Sequence, residues 1–276
     1  MPVIDEGHDR FAAAVAVWRT GLGKVRDAVR QELVARQLAA YLPPATTAAQ
    51  AVLEVGCGQG TQAIVLARRG YQVTRVDVSE ELLQVARTAT SAEPGEVRGR
   101  LQFEQADLLE LGARYEGRFE VVCCHGVLMY IPSLAAGVAA AVGAARPGGV
   151  LSLLTSNRAG IAMRAGMIGD WEGALAGFDA RLYRNRLGLD QVRADDPAEV
   201  AGALAAAGAV PLEWYGVRLF SDHWGLVEVG KDFDALVEAE YQAGRRDPYP
   251  QVCALSDTLA RRSDGSAPDR QDRRGP

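Results

Sequence analysis

The stretch Val52-Leu-Glu-Val-Gly-Cys-Gly-Gln-Gly-Thr61 decides the fold. Ala51 to Val55 is a short apolar run of the kind that forms a buried strand. Glycines follow at alternate positions, Gly56, Gly58 and Gly60, and Ala63-Ile-Val-Leu-Ala67 then reads as the start of a helix. Strand, glycine turn and helix in that order make a ligand site at the head of a doubly wound sheet. The glycines tolerate positive φ and let a ligand touch the backbone. The helix start adds unpaired N–H groups.

The spacing selects the ligand. A nicotinamide dinucleotide site requires G-x-G-x-x-G, but the position three after Gly58 is Thr61. The chain instead reads G-x-G-x-G, with Glu54 two residues ahead of Gly56. This resembles motif I of the class I S-adenosylmethionine-dependent methyltransferases. The chemistry agrees with the difference. A pyrophosphate seeks a bare helix N-terminus. S-adenosyl-L-methionine carries no phosphate but has a sulfonium and an ammonium group, which an acid at the strand end suits.

Composition sets the outer bounds. A chain of 276 residues can bury one full core plus an appendage. The formal charge of −5 gives no overall basic surface for nucleic acid. Lys24 and Lys231 are the only lysines among 30 basic residues, a bias that with the abundant alanine fits a GC-rich genome. Cys57, Cys123, Cys124 and Cys253 form no C-x-x-C pair and no zinc-ligand spacing, so no metal is expected. They read as buried reduced thiols, which implies a cytoplasmic protein. No long apolar run suggests a signal peptide or a membrane span.

Outward from the glycine turn, residues 1–50 read as an N-terminal helical lid, with helices over Phe11–Trp18 and Val25–Tyr41 closed by Pro43-Pro44. Arg26 and Arg30, one turn apart, form either a solvated basic face or part of a cofactor lid. A second strand over residues 71–78 ends near Asp77, about twenty residues after Gly56, where a carboxylate takes both ribose hydroxyls. A plain turn acid is the alternative. Ser79 caps the next helix. A third strand, Leu101–Gln105, leads to Asp107, which suits either the adenine amine or a simple turn. A fourth, Phe119–Cys124, runs into His125, placed at a carboxyl strand end beside the glycine turn or packed under a loop. Ala145-Arg-Pro-Gly-Gly149 reads as a helix stop and turn before a fifth strand, Val150–Thr155.

Residues 158–196 lack a clear strand and read as a mobile cap containing Arg158, Arg164, Arg181, Arg184, Arg186 and Arg193. A helix over Pro197–Ala207, a sixth strand over Pro211–Phe220 and an acidic helix over Asp232–Gln242 follow. From Arg261 the composition reads as a disordered tail. The expected fold is α/β, a Rossmann-like, doubly wound, seven-stranded, mostly parallel sheet. It has N-terminal helices, a cofactor-binding core over 51–157, the cap inserted after the fifth strand, and a C-terminal part of the core over 197–260.

A closer likeness joins these pieces. The chain resembles the tRNA 5-carboxymethoxyuridine methyltransferases, which esterify a carboxylate on a wobble uridine. The likeness runs over roughly residues 8 to 250. It is carried by Gly23-Lys-Val-Arg26, Asp77, His125-Gly-Val-Leu128, Pro147-Gly-Gly-Val-Leu-Ser-Leu153 with Asn157, Asp196-Pro197, Gly216-Val-Arg-Leu-Phe220 with Asp222, and Pro248-Tyr249. The resemblance implies cofactor contacts from Arg26, Glu54, Gly56, Cys57, Gly58, Asp77, Val78, Asp107, Leu108 and His125, with Arg26 pairing with the methionine carboxylate. It departs in the cap, where spaced arginines replace a dense lysine run, in Tyr130, where the family has tryptophan, and in Ala254-Leu-Ser-Asp257, where the family's final strand carries Arg, Tyr and His.

Methyl transfer is an in-line displacement on an already activated carbon, so the protein supplies positioning and a dry pocket. A carboxylate acceptor is ionised at neutral pH and needs a guanidinium fork rather than a base. Arg218, or an arginine of the cap, fits that role. A hydroxyl acceptor needs a base, and His125 is then the first candidate. Acceptors of either kind, a tRNA nucleoside or a small molecule, stay open. So does a cofactor-binding protein without catalysis. A nicotinamide oxidoreductase is disfavoured by Thr61 and Glu54.

Overall fold

The computed structural model describes residues 14–44 and 50–264. The expectations for residues 1–13 and for the end of the tail fall outside that range. Residues 14–20 form a first helix, α1. α2 (Val25–Ala39) buries Val25, Val29, Leu33, Val34 and Leu38, the three- and four-residue spacing of a one-sided apolar stripe. The core then alternates strand and helix: β1 (Ala51–Val55), α3 (Thr61–Arg68), β2 (Gln72–Asp77), α4 (Glu80–Ser91), α5 (Gly95–Arg98), β3 (Leu101–Gln105), α6 (Leu111–Arg114), β4 (Phe119–His125), α7 (Leu134–Ala144) and β5 (Ala145–Ser156). The cap segment follows as α8 (Ala159–Met167), α9 (Trp171–Gly177) and a two-stranded ribbon, β6 (Leu182–Tyr183) with β7 (Val192–Arg193). The chain returns through α10 (Pro197–Ala206), β8 (Ala209–Val217), α11 (Phe233–Ala243) and β9 (Leu255–Arg262).

The main sheet has seven strands in the order β3-β2-β1-β4-β5-β9-β8. β1 to β5 pair in parallel and β9 lies antiparallel between β5 and β8. The order reverses at β1 and β4, which puts a crevice at their carboxyl ends. Successive residues serve opposite faces. Leu53, Val55, Val122, Cys124, Leu151 and Leu153 join the core under α7 and α10. Val52, Val121, Cys123, Val150 and Leu259 join Leu38, Ala63, Leu66 and Ala67 under α2 and α3.

Four differences from the sequence reading bear on the sheet and the site. β5 begins at Ala145, because the residues after the end of α7 pair with β4 across a register shift between Phe119 and Val121. β8 covers Ala209–Val217, so Arg218 lies just past its end. The cap does contain strand, the short ribbon above. Arg261 and Arg262 are not tail residues but the last two of β9, paired with β5 and β8. β9 has the sheet's neighbours on both sides, which accounts for the burial of Ser256, Asp257 and Thr258.

Candidate active site

The glycine turn takes the conformation its residues allow. Gly56, Gly58 and Gly60 have φ of 66°, 50° and 77°, a region that L side chains rarely occupy. Packing closes the same positions. A Cβ at Gly58 would come within 2.9 Å of the Trp18 indole, and one at Gly56 within 2.0 Å of a Val127 methyl. Trp18 of α1 therefore lies directly against the turn. Beneath it, the fully buried Arg75 guanidinium donates to the Gly60 carbonyl and, at 2.7 Å, to Thr90 Oγ1.

Polar side chains gather on the α2–α3 face of the sheet as its strands approach the crevice. Glu54 is buried with its Oε2 3.7 Å from Arg75 Nε, too far for a hydrogen bond. Burial raises its carboxyl to about 7, with Arg75 opposing the shift. Asp77, at the end of β2, accepts from Ser79 N at 3.0 Å and from Gly58 N at 3.4 Å, so it also braces the glycine turn. Val78 follows, with its carbonyl accepting from Gln105 Nε2 at 2.8 Å. Cys57 is buried, and burial pushes its thiol well up. Asp107 Oδ1 caps Leu109 N at 2.8 Å, the turn role weighed for it, and Leu108 is core.

His125 ends β4, one residue past Cys124, which pairs with Val55 of β1. Its Nε2 is 2.8 Å from Ser152 Oγ of β5, and Ser152 Oγ donates to Asp257 Oδ1 of β9 at 3.0 Å. His125 Nδ1 is buried without a partner. Burial, together with Arg30, lowers the imidazole to about 3, so it is neutral at physiological pH.

A second cluster lies past the end of β8. The Asp222 carboxylate carries Arg26 of α2 at 2.9 Å, Arg218 at 3.3 Å and Arg164 of α8 at 3.6 Å. Arg186, from the loop between β6 and β7, donates to the Asp222 and Trp224 carbonyls, both at 2.7 Å. Four guanidiniums thus gather around one aspartate, three of them on its carboxylate. Burial lowers Arg218 to about 10, with Asp222 opposing and Arg26 and Arg30 adding to it. Arg218 is held at φ 63°, an uncommon conformation for a non-glycine residue. Glu240 of α11 fixes the following loop by accepting from Leu219 N, Phe220 N, Ser221 N and Ser221 Oγ, at 2.7, 3.1, 2.8 and 2.6 Å.

Arg218 pairs with Asp222 in a partly buried cluster just past the end of β8. Arg26 shares that carboxylate. Sequence spacing does not reveal Arg164 and Arg186 as members, because they come from separate pieces of the cap. Nor does it single out Trp18, Ser152 or Asp257. The signal for Asp257 was its departure from the family's final strand. Among the described residues no group of His, Cys, Asp and Glu could hold a metal ion, and no helix is long and apolar enough to cross a membrane.

The turn and its surroundings fit S-adenosyl-L-methionine. The crevice offers a turn of three positive-φ glycines, a carboxylate at the second strand end, and two buried polar atoms without hydrogen-bond partners, Glu54 Oε2 and His125 Nδ1.

Known proteins agree. Residues 53–153 match the family model described as "Methyltransferase domain". The tRNA 5-carboxymethoxyuridine methyltransferase of Escherichia coli (strain K12) is 30% identical over 234 residues, 84% of this chain and 86% of that protein. The ubiquinone biosynthesis O-methyltransferase of Xanthomonas campestris pv. campestris (strain B100) is 34% identical over 166 residues, 58% of this chain and 65% of that protein. The magnesium protoporphyrin IX methyltransferase of Synechocystis PCC 6803, solved with bound SAH, shares the fold with a TM-score of 0.56 at 18% identity, covering 87% of this chain and 86% of that one. With its sheet order, its glycine turn and a relative aligned along most of both sequences, the chain belongs to the class I S-adenosylmethionine-dependent methyltransferases.

Proposed function

We propose that this methyltransferase esterifies a carboxylate on an anionic acceptor. The observation that carries this reading is the arginine cluster, in which Arg26, Arg164, Arg186 and Arg218 gather around the single acid Asp222. Their excess positive charge suits an incoming anion. Beside a cationic sulfonium it would otherwise be repulsive.

S-adenosyl-L-methionine supplies an activated methyl carbon when bound. The chain's own residues do the rest. The glycine turn and Asp77 position the cofactor, with Glu54 and Arg75 supporting the turn from below. Arg218 orients the acceptor through a planar fork that matches two carboxylate oxygens. Trp18 and the cap restrict water. An ionised carboxylate has no proton to lose, so the neutral His125 need not act as a base. In this reading residues 14–44 form a lid, 51–157 the cofactor core, 158–196 a cap and 197–260 the rest of the core. The four free, buried thiols are in keeping with a cytoplasmic site.

A wobble carboxymethoxyuridine is one such acceptor, supported by the relative from Escherichia coli. A small-molecule acid is the second reading, and a specific observation favours it. The cap arginines that would grip RNA phosphates have acid partners of their own: Arg158 with Asp196 at 2.7 Å, Arg181 with Glu199 at 2.7 Å, Arg184 with Asp190 at 3.0 Å and Arg193 with Asp195 at 2.7 Å. Mass spectrometry of wobble nucleosides from a deletion strain and its parent tests the choice. Loss of the methyl ester in the deletion identifies tRNA. Unchanged nucleosides leave the small acid.

A further inference from the structure

We propose that Ser152 and Asp257 are positioning residues that hold His125 in its Nε2–H tautomer, leaving the Nδ1 lone pair to accept a hydrogen bond from the α-ammonium group of the bound cofactor. The three residues sit on adjacent strands, β4, β5 and β9, with their side chains on one face of the sheet. A serine hydroxyl has one proton. With Asp257 ionised, Ser152 gives that proton to its Oδ1 at 3.0 Å. The 2.8 Å contact with His125 Nε2 then requires the ring to be the donor. A neutral imidazole with its proton on Nε2 presents a lone pair at Nδ1. That atom is buried and unpartnered at the end of β4, next to the glycine turn.

The donor it meets follows by elimination, which rests on the anionic-acceptor reading above. An ionised carboxylate offers no hydrogen. In that reading the ribose hydroxyls go to Asp77 at the end of β2, and the adenine lies farther along the crevice by the β3 turn. The remaining donor is the cofactor's ammonium group. Neutrality matters here as much as the tautomer. An imidazolium would repel both the ammonium and the neighbouring Arg30, whereas the buried ring stays uncharged. Asp257 acts only through Ser152 and touches neither ligand.

Two measurements test this without any methyl acceptor, so they stand or fall separately from the anionic-acceptor reading. The first is nitrogen NMR of 15N-histidine-labelled wild-type protein, with His125 assigned by loss of its signals in His125→Gln. The expected spectrum shows a neutral ring protonated on Nε2. A proton on Nδ1, or an imidazolium at neutral pH, overturns the proposal. The decisive spectrum is that of the wild type, and the variant serves only to assign it. The second is calorimetry with S-adenosylhomocysteine and its desamino analogue. The wild type should prefer the amine by roughly tenfold or more, the scale of one hydrogen bond to a charged group. In Ser152→Ala and Asp257→Leu that preference should shrink to about threefold or less, with affinity for the desamino analogue unchanged. An undiminished preference in a folded Ser152→Ala variant also overturns it.

Discussion

Arg26 and Arg218 place guanidinium nitrogens on the same oxygen, Oδ1 of Asp222, at 2.9 and 3.3 Å. The two residues stand far apart in sequence, one on the second helix and one just past β8. Their convergence ties α2 to the loop that follows β8 at one carboxylate. A methionine carboxylate or an acceptor carboxylate arriving there competes with Asp222 for the same donors.

Asp222→Ala should therefore destabilise the fold by about 3 kcal/mol, because it leaves several clustered guanidiniums without their anion. Urea unfolding measures it. Burial opposes the charge on Asp222, but Arg218, Arg26 and Arg164 outweigh it and hold its carboxyl below the usual range. A depressed folded pKa means this stabilisation is present above the unfolded value and is lost as the pH falls through the folded one. The gap between wild type and Asp222→Ala should accordingly narrow in acid.

Arg218→Lys keeps a charge but loses the fork, so turnover should fall while cofactor affinity stays nearly intact. Arg218→Ala should go further, costing about 2–5 kcal/mol in the interaction with the acceptor, the scale for removing one partner of a buried charge pair. Steady-state kinetics with calorimetry of S-adenosylhomocysteine separates the two effects. Near-normal turnover of the alanine variant would remove Arg218 from the reaction.

Asp77→Ala should weaken cofactor binding by about 1.5–3 kcal/mol, the value of hydrogen bonds to a charged group. Part of that loss comes from the glycine turn, since Asp77 also accepts from Gly58 N. Calorimetry on the folded variant checks it, and unchanged affinity would show that another group holds the ribose.

How much of this could be read from sequence depended on whether the signal was local. Gly56 to Gly60, Asp77 and His125 each stand at a strand end or turn, where residue type and spacing mark a position in the crevice. β9 was hidden because Ser256, Asp257 and Thr258 lack the apolar run of a buried strand. They are buried only because neighbouring strands cover both sides and Ser152 and Thr155 of β5 meet Asp257 and Ser256 through their hydroxyls. The arginine cluster was half legible. Arg26 and Arg218 stood in recognisable contexts. Arg164 and Arg186 did not, because tertiary folding alone brings the cap helix and ribbon loop to Asp222.

Glu54 and Asp257 predict an opposite pH effect. Burial raises both carboxyls to about 7. With the folded pKa above the unfolded one, stability falls as the pH rises from the unfolded value toward 7, because the unfolded chain releases these protons while the folded protein still holds them. Thermal midpoints recorded from about pH 5 to 7 should fall, and Glu54→Gln and Asp257→Asn should each flatten the slope. An unchanged slope in both variants would show that other groups set the dependence.

The most direct measurement concerns the bond that is made. S-adenosylmethionine labelled in its methyl group is incubated with the enzyme and with separated tRNA and small-molecule fractions of a deletion strain, and the product is treated with mild base. A carboxylate acceptor gives a methyl ester, so the label should leave as volatile methanol, and its incorporation should collapse in Arg218→Ala. Label that survives base as an ether, N-methyl or C-methyl group, or that is incorporated equally without Arg218, would contradict esterification of an arginine-held anion.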